Sequence, residues 1–246
     1  MAVTDTMRQD IQHLRQIGRF RALKSADLAT IAGAAWHRQA ERGAFFFHQG
    51  DPVGILYVLT EGRVKLTQLT DDGQEVLLRF VGLGEMFGAL GALGDTLYPV
   101  SAEAAEDCLA LAWDGDSMTG LMESTPRLAL NALQMLAGQV RELQDRYREL
   151  ATERVERRLA RTLLRLAAQA GSQMPGGILL DMRLSRQDLA NMTGTTVFSV
   201  SRILSRWEQD GLVKSRRERV LIRNPHGLQV VAEDLPPGPT GGEPEA

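Results

Sequence analysis

Residues 185–207, SRQDLANMTGTTVFSVSRILSRW, decide how this chain is read. Ser185 stands where a helix needs an N-cap, with Asp188 in the following turn. Leu189, Ala190 and Met192 are spaced to form the inner face of a short helix. Gly194 breaks that pattern and, lacking a Cβ, allows the backbone reversal that a helix-turn-helix requires. Thr195 or Thr196 then caps a second helix, whose Val200, Ile203, Leu204 and Trp207 recur at helical spacing and point inward. Its other side is polar: Ser199, Ser201, Arg202 and Arg206 lie on or near it, with Val197 and Phe198 in the first turn. That is the arrangement with which a reading helix enters the DNA major groove.

Within this helix Arg202 is the expected base reader, because its planar fork can donate two hydrogen bonds to guanine O6 and N7, worth about 1–3 kcal/mol of discrimination. Val197, Phe198 and Ser199 join it on the base side. Arg186, Gln187, Thr196, Ser201 and Arg206 are placed for the phosphate backbone, which positions a domain without reading sequence. After Gly211, the run LVKSRRERVLIRN reads as two short strands joined by a basic turn. Lys214, Arg216, Arg217 and Arg219 then form either a wing against phosphates or a solvated basic hairpin.

Upstream, a helix is expected from about Glu153 to Ala170, followed by the Pro175-Gly176-Gly177 turn and a short strand in ILLDMRL. Before it, Ala129, Leu133, Leu136, Val140, Leu143, Tyr147 and Leu150 alternate spacings of four and three, between charged flanks. Such a seam is satisfied by an identical helix lying alongside, or by packing on the chain's own β-structure. From Ala44 to Asp114 the pattern changes to short apolar or alternating runs broken by turns. Glu61-Gly62 and Asp72-Gly73 fall between strand-like runs, where Gly supplies the positive φ of a tight hairpin. Strands this short and evenly spaced imply an antiparallel sandwich or jelly roll.

Charge is partitioned along the chain. The net charge of −3 resolves into −6 over residues 1–151, +7 over 152–231 and −4 over 232–246. Only the segment with the helix-turn-helix carries the positive field that phosphates attract. The single cysteine, Cys108, cannot make an intramolecular disulfide or supply the thiolates of an iron–sulfur cluster, and within CLALAW it reads as a small buried hydrophobe. No apolar run approaches the roughly 18 residues of a membrane span, and no secretory signal is visible, so a cytoplasmic protein is expected. There is no Gly-rich phosphate loop, HExxH, CxxC or nucleophile elbow; no catalytic or metal-ligating residue is assigned, and an enzyme is not expected.

The stretch RQDLANMTGTTVFSVSRILSRWEQDGLV, at 186–213, resembles the winged helix-turn-helix of the CRP/FNR regulator family. Glu61-Gly62-Arg63-Val64, the Gly84-Glu85-x-Phe87-Gly88 segment and the long seam helix match that family in order, over about residues 20–225. The resemblance implies an α+β chain: an N-terminal helical segment (1–25), a jelly-roll sensor like a cyclic-nucleotide-binding domain (26–115), a dimerisation helix (116–151) and a winged helix-turn-helix (152–231); the Pro- and Gly-rich end, without apolar periodicity, reads as a disordered tail (232–246). It also implies a homodimer on double-stranded DNA, joined through Leu133, Leu136, Val140, Leu143, Tyr147 and Leu150. The half-sites would lie about one helical turn, roughly 34 Å, apart. An activator would in addition contact RNA polymerase.

The resemblance places an effector pocket at Gly84, Glu85, Phe87, Gly88, Ala89, Leu90, Val100 and Ser101, with effector binding expected to shift a hinge around Leu150 to Arg154. Cyclic-nucleotide binders of the family carry a Glu for the ribose and an Arg for the phosphate; here Ala89 takes the Glu position and 97–102 contains no Arg. An unpaired buried phosphate is costly, which argues against cAMP. Haem stays open through His13, His37 or His48, as does control by abundance alone. Phe198 replaces a Glu common among relatives, and either contacts a thymine methyl or packs on the first helix. The competing reading is an effector-binding or protein-interaction module with a degenerate DNA-binding domain.

Overall fold

Eight short strands carrying apolar residues on their inner faces build the first half of the chain in the computed structural model, which describes residues 2–17, 20, 22–71, 73, 75–89, 97–180, 182–216 and 219–234. They are β1 (Trp36–Ala40), β2 (Phe45–Phe47), β3 (Ile55–Glu61), β4 (Val64–Leu69), β5 (Glu75–Val81), β6 (Met86–Phe87), β7 (Ser101–Ala104) and β8 (Cys108–Asp114). They form two four-stranded sheets, ordered β1-β8-β3-β6 and β2-β7-β4-β5, with every recorded pairing antiparallel. This is the jelly-roll sandwich expected from the strand spacing. Gly62 and Gly73 have φ of 82° and 80°, while Asp72 lies outside the described residues. At Gly62 the need is also spatial, since a Cβ would sit 2.3 Å from the Asp107 carbonyl oxygen.

Between the sheets lies a buried core containing Phe46, Phe47, Tyr57, Leu59, Phe87 and Tyr98. Helices α1 (Ala2–Gln16), α2 (Ser25–Gly33) and α3 (Gly115–Ser124) bring Leu14, Leu28, Ile31, Met118 and Leu121 into a second cluster with Leu56, Val58, Leu111 and Trp113. Trp113 donates its indole N–H to the Ile31 carbonyl at 2.9 Å. The sequence assigned residues 116–151 to one dimerisation helix. Instead α3 ends at Ser124 and is part of this cluster through Met118 and Leu121, and a separate helix α4 (Pro126–Thr152) begins at the proline. Pro126 cannot donate a backbone hydrogen bond, so it starts a helix far better than it continues one. β1 was also missed: WHRQA is exposed at four of its five positions and offers no apolar alternation.

The chain divides into two compact units, Met1–Leu143 and Gln144–Ala246. The second contains the end of α4, α5 (Val155–Ala170), α6 (Arg186–Thr193), α7 (Val197–Gln209) and α8 (Pro225–Glu233). Its strands β9 (Gly171–Met174), β10 (Gly177–Leu180), β11 (Val213–Arg216) and β12 (Arg219–Ile222) make one antiparallel sheet in the order β11-β12-β10-β9. The expected tail starts too early, because α8 runs to Glu233, capped by Asn224, whose side chain accepts from the Gly227 N–H, with Pro225 in its first turn. Residues 235–246 lie outside the described ones.

Candidate nucleic-acid interface

Three local features set the helix-turn-helix. Ser185 and Asp188 form a reciprocal capping box at the start of α6, and Gly194 closes that helix in the left-handed region at φ 58°, ψ 50°. Thr196, rather than Thr195, caps α7 by accepting from the Ser199 N–H at 3.2 Å. Val200, Ile203, Leu204 and Trp207 are buried as the spacing required. In α6 the fully buried residues are Leu189, Ala190 and Thr193, and Met192 is only half-buried. A threonine tolerates that position because its hydroxyl donates to the Leu189 carbonyl at 2.5 Å.

Other charged side chains lock the turn. Arg158 donates from Nε to the Thr193 carbonyl at 2.9 Å and from Nη2 to the Gly194 carbonyl at 3.3 Å. These are carbonyls that the end of α6 leaves without helical partners. The Glu156 carboxylate receives both the Arg206 guanidinium and the Trp207 indole N–H, the latter at 3.1 Å. Sequence inspection had no signal for Arg158 or Glu156 beyond their charge, since their partners lie 35–51 residues away.

On α7, Phe198, Arg202 and Ser205 follow one another at spacings of four and three on the side opposite the buried row, and all three are exposed. Ser205 is an addition to the expected set. Phe198 is 76% exposed, so it does not pack on the first helix as one alternative held. Val197 flanks this ridge at 38% exposure. Among the described residues Arg202 has no hydrogen-bond or ion-pair partner. It lines a recess of about 480 Å³ together with Arg154, Val155, Glu156, Ile203 and Arg206. Arg154, at the N-cap of α5, was not foreseen there.

The expected phosphate-contacting residues differ in exposure and in partners. Thr196, Gln187 and Lys214 are exposed, with Gln187 donating to Asn191 Oδ1 at 2.8 Å. Arg206 is held by Glu156, which raises the pKa of its guanidinium further. Arg186 is half-buried, and desolvation lowers its pKa, with Glu208 opposing that shift. Ser199 and Ser201 are partly exposed, Ser199 Oγ accepting from Thr196 Oγ1 at 3.1 Å. In the wing, Arg219 is exposed, and Glu208 accepts from the Ser215 N–H at 2.7 Å, tying β11 to α7. The Arg216 side chain and Arg217 lie outside the described residues.

Among the described residues, the expected effector-pocket positions differ in their surroundings. Phe87 is buried between the sheets, and Val100 packs against that core. Ala89 faces the helix-side cluster instead. Gly84 and Glu85 border a cavity of about 570 Å³ with His13, Gln16, Ile17, Leu59, Thr60 and Leu83, where Glu85 pairs with Arg79 at 2.8 Å. At Gly88 a Cβ would meet the Ile55 carbonyl at 2.9 Å. Ser101 Oγ accepts from the Gln49 N–H at 2.9 Å. Leu90 lies outside the described residues. The Phe47 and Tyr98 rings stack at 3.8 Å, and Tyr98 donates its hydroxyl proton to the Ile55 carbonyl.

Residues 37–125 match the family model of the cyclic nucleotide-binding domain, and residues 157–231 match that of the Crp-like helix-turn-helix domain. The chain belongs to the CRP/FNR family. It is a DNA-binding transcription regulator of that family. It is 29% identical over 185 residues, 75% of each chain, to the transcriptional activator protein anr of Pseudomonas aeruginosa. It is 26% identical over 215 residues to a CRP-like cAMP-activated global transcriptional regulator of Mycobacterium tuberculosis, covering 87% of this chain and 96% of that one. Among solved structures it resembles the c-di-GMP responsive regulator CLP of Xanthomonas campestris, with TM-score 0.69 at 25% identity, covering 81% and 99% of the two chains. A CRP-family regulator from Thermus thermophilus gives 0.67 at 28% identity, covering 80% and 96%.

Other features bear on the sensor chemistry. Among the described residues no cluster of three or more His, Cys, Asp or Glu could hold a metal ion, and no helix is long and apolar enough to cross a membrane. Cys108 is buried, and desolvation pushes its thiol pKa up, away from the thiolate that a redox switch needs.

Proposed function

We propose that this regulator acts in the cytoplasm as a homodimer on a pseudo-palindromic DNA site, reading bases with α7 and joining its copies along α4. The observation that carries this reading is Arg202: a guanidinium without a partner among the described residues, on the outward ridge of a helix whose opposite side is buried. A degenerate DNA-binding domain would have no reason to keep that cation uncommitted beside the arginines of the neighbouring recess. The apolar seam of α4 supports the dimer, with Leu133, Leu143 and Tyr147 exposed by 62%, 67% and 74%. Val140 and Leu150 are also exposed and Leu136 is partly so, a stripe that a monomer gains nothing by displaying to water.

The described residues do not fit a cyclic nucleotide, and we assign control to another effector or to abundance. Phe46, Phe47, Tyr57, Phe87 and Tyr98 are buried between the sheets, and the stretch 97–102 offers no arginine for a phosphate. For haem, His37 is engaged by Asp10 at 3.0 Å and the His48 ring packs tilted against Phe45 at 4.2 Å, leaving His13 as the candidate ligand. An ultraviolet-visible spectrum of the purified protein is expected to lack a Soret band.

Binding of duplex DNA, followed by fluorescence anisotropy across a salt series, tests the central claim. The wild-type protein should prefer one sequence, and log affinity should fall linearly with log salt. Arg202→Ala should lose the preference while remaining a dimer. Retained selectivity in that variant would show that another residue reads the bases.

A further inference from the structure

Phe198 occupies the most outward position of the first turn of α7, four residues and so about 6 Å along the axis from Arg202, on the same ridge. Its ring is 76% exposed, Val197 beside it is 38% exposed, and no Asp or Glu occurs between Val197 and Arg206. An aromatic ring held out to water at the tip of a folded helix is unfavourable for the free protein, and nothing in its own domain covers it. In the major groove one base-pair feature is apolar: the C5-methyl group of thymine. A cytosine amine, by contrast, needs an acceptor, and neither Phe198 nor Val197 has one.

We propose that Phe198 is a specificity-determining residue that reads thymine by its methyl group. Each half-site then carries a thymine about two base-pair steps, at 3.4 Å each, from the guanine bound by Arg202, on either strand. The capping of α7 by Thr196 and the Glu156 anchor at its far end hold both readers at a fixed spacing. This inference rests on the DNA-reading function proposed above and adds the chemistry of one position in the site.

The test begins with full-length protein and a random-sequence duplex library, from which bound DNA is selected and sequenced. Each thymine of the recovered site is then replaced by deoxyuridine, which removes the methyl group and keeps the pairing. At one thymine per half-site, wild-type affinity should fall about fourfold, equivalent to the roughly 0.8 kcal/mol of one methyl group taken from water. Phe198→Ala, whose circular dichroism and melting should match wild type, should bind the thymine and uracil duplexes equally. Phe198→Glu should prefer cytosine at that position, because a carboxylate accepts from cytosine N4. A recovered site insensitive to every uracil, or a Phe198→Ala protein that keeps the sensitivity, overturns the inference and leaves sequence-specific binding intact. A selection that enriches no sequence overturns the underlying reading instead.

Discussion

Glu156 occupies one carboxylate with two donors from α7, the Arg206 guanidinium and the Trp207 indole. The consequence is a division of labour between two arginines one helical turn apart: Arg206 is spent within the protein, and Arg202 faces outward. Glu156→Gln preserves an acceptor for Trp207 but removes the charge that holds Arg206. The released cation should then reach a phosphate, and the slope of log affinity against log salt should steepen by about 0.9 per subunit. Salt titrations of the two proteins on one duplex measure this directly. Tyr57 offers a second test. Desolvation, helped by the neighbouring Tyr98, pushes its pKa up to about 12 from the usual 10. Because the folded value is the higher one, the stability contributed by neutral Tyr57 is complete below pH 10 and is lost as pH rises through about 12. Absorbance at about 295 nm should show one late-ionising tyrosine, and Tyr57→Phe should remove that step. At this scale the sequence was informative wherever chemistry is local: Ser185, Gly194 and the buried row of α7 were all readable. Met192 was misplaced because helical spacing alone cannot tell a buried threonine bonded to its own helix from a methionine at its edge.

The junction between α4 and α5, where a hinge is anticipated at Leu150 to Arg154, is held by ion pairs. Glu149 is buried and accepts two hydrogen bonds from Arg165, at 2.8 and 2.9 Å. Glu153 pairs with Arg161 at 3.2 Å and Arg157 at 3.8 Å. Glu149, just before that stretch, and Glu153, within it, both fasten the end of α4 to α5. Deleting Glu149 removes two charge-assisted hydrogen bonds but leaves Arg165 30% exposed to water, and Glu149→Ala should cost about 1.5–3 kcal/mol. Urea denaturation should register this as a lower midpoint with the slope retained. Hydrogen exchange should find amides 149–154 as protected as α5 in wild type, and freely exchanging in the variant. Periodicity located α5 within two residues of both its ends and α4 within one residue of its C-terminal end, while placing the start of α4 ten residues too early. It was silent about the staple, because a Glu–Arg pair sixteen residues apart looks in sequence like two solvated charges. Pro126 and the Asn224-Pro225 pair, by contrast, are local signals for the starts of α4 and α8.

For the molecule as a whole, separated charge and an uncovered seam point to one assembly. The segment 152–231 carries +7 within a chain of net −3, so a single copy offers one positive surface and one short row of base contacts. Tying two such copies together makes the second contact intramolecular, which raises overall affinity by about 10²- to 10⁴-fold without any new contact. Leu143 is the position at which this can be tested cleanly. Its side chain is 67% exposed in the single chain, so Leu143→Glu should leave each copy folded. In a parallel pair, however, the seam would bring two carboxylates face to face out of water, which costs far more than it returns. Analytical ultracentrifugation should show wild type as a dimer and the variant as a monomer. The variant should lose 10²-fold or more on a palindromic duplex and little on an isolated half-site, where the wild-type dimer has no second contact to lose. A wild-type protein that sediments as a monomer, or a variant that still binds the palindrome at full strength, would show that α4 joins no second copy and that each chain reads DNA alone.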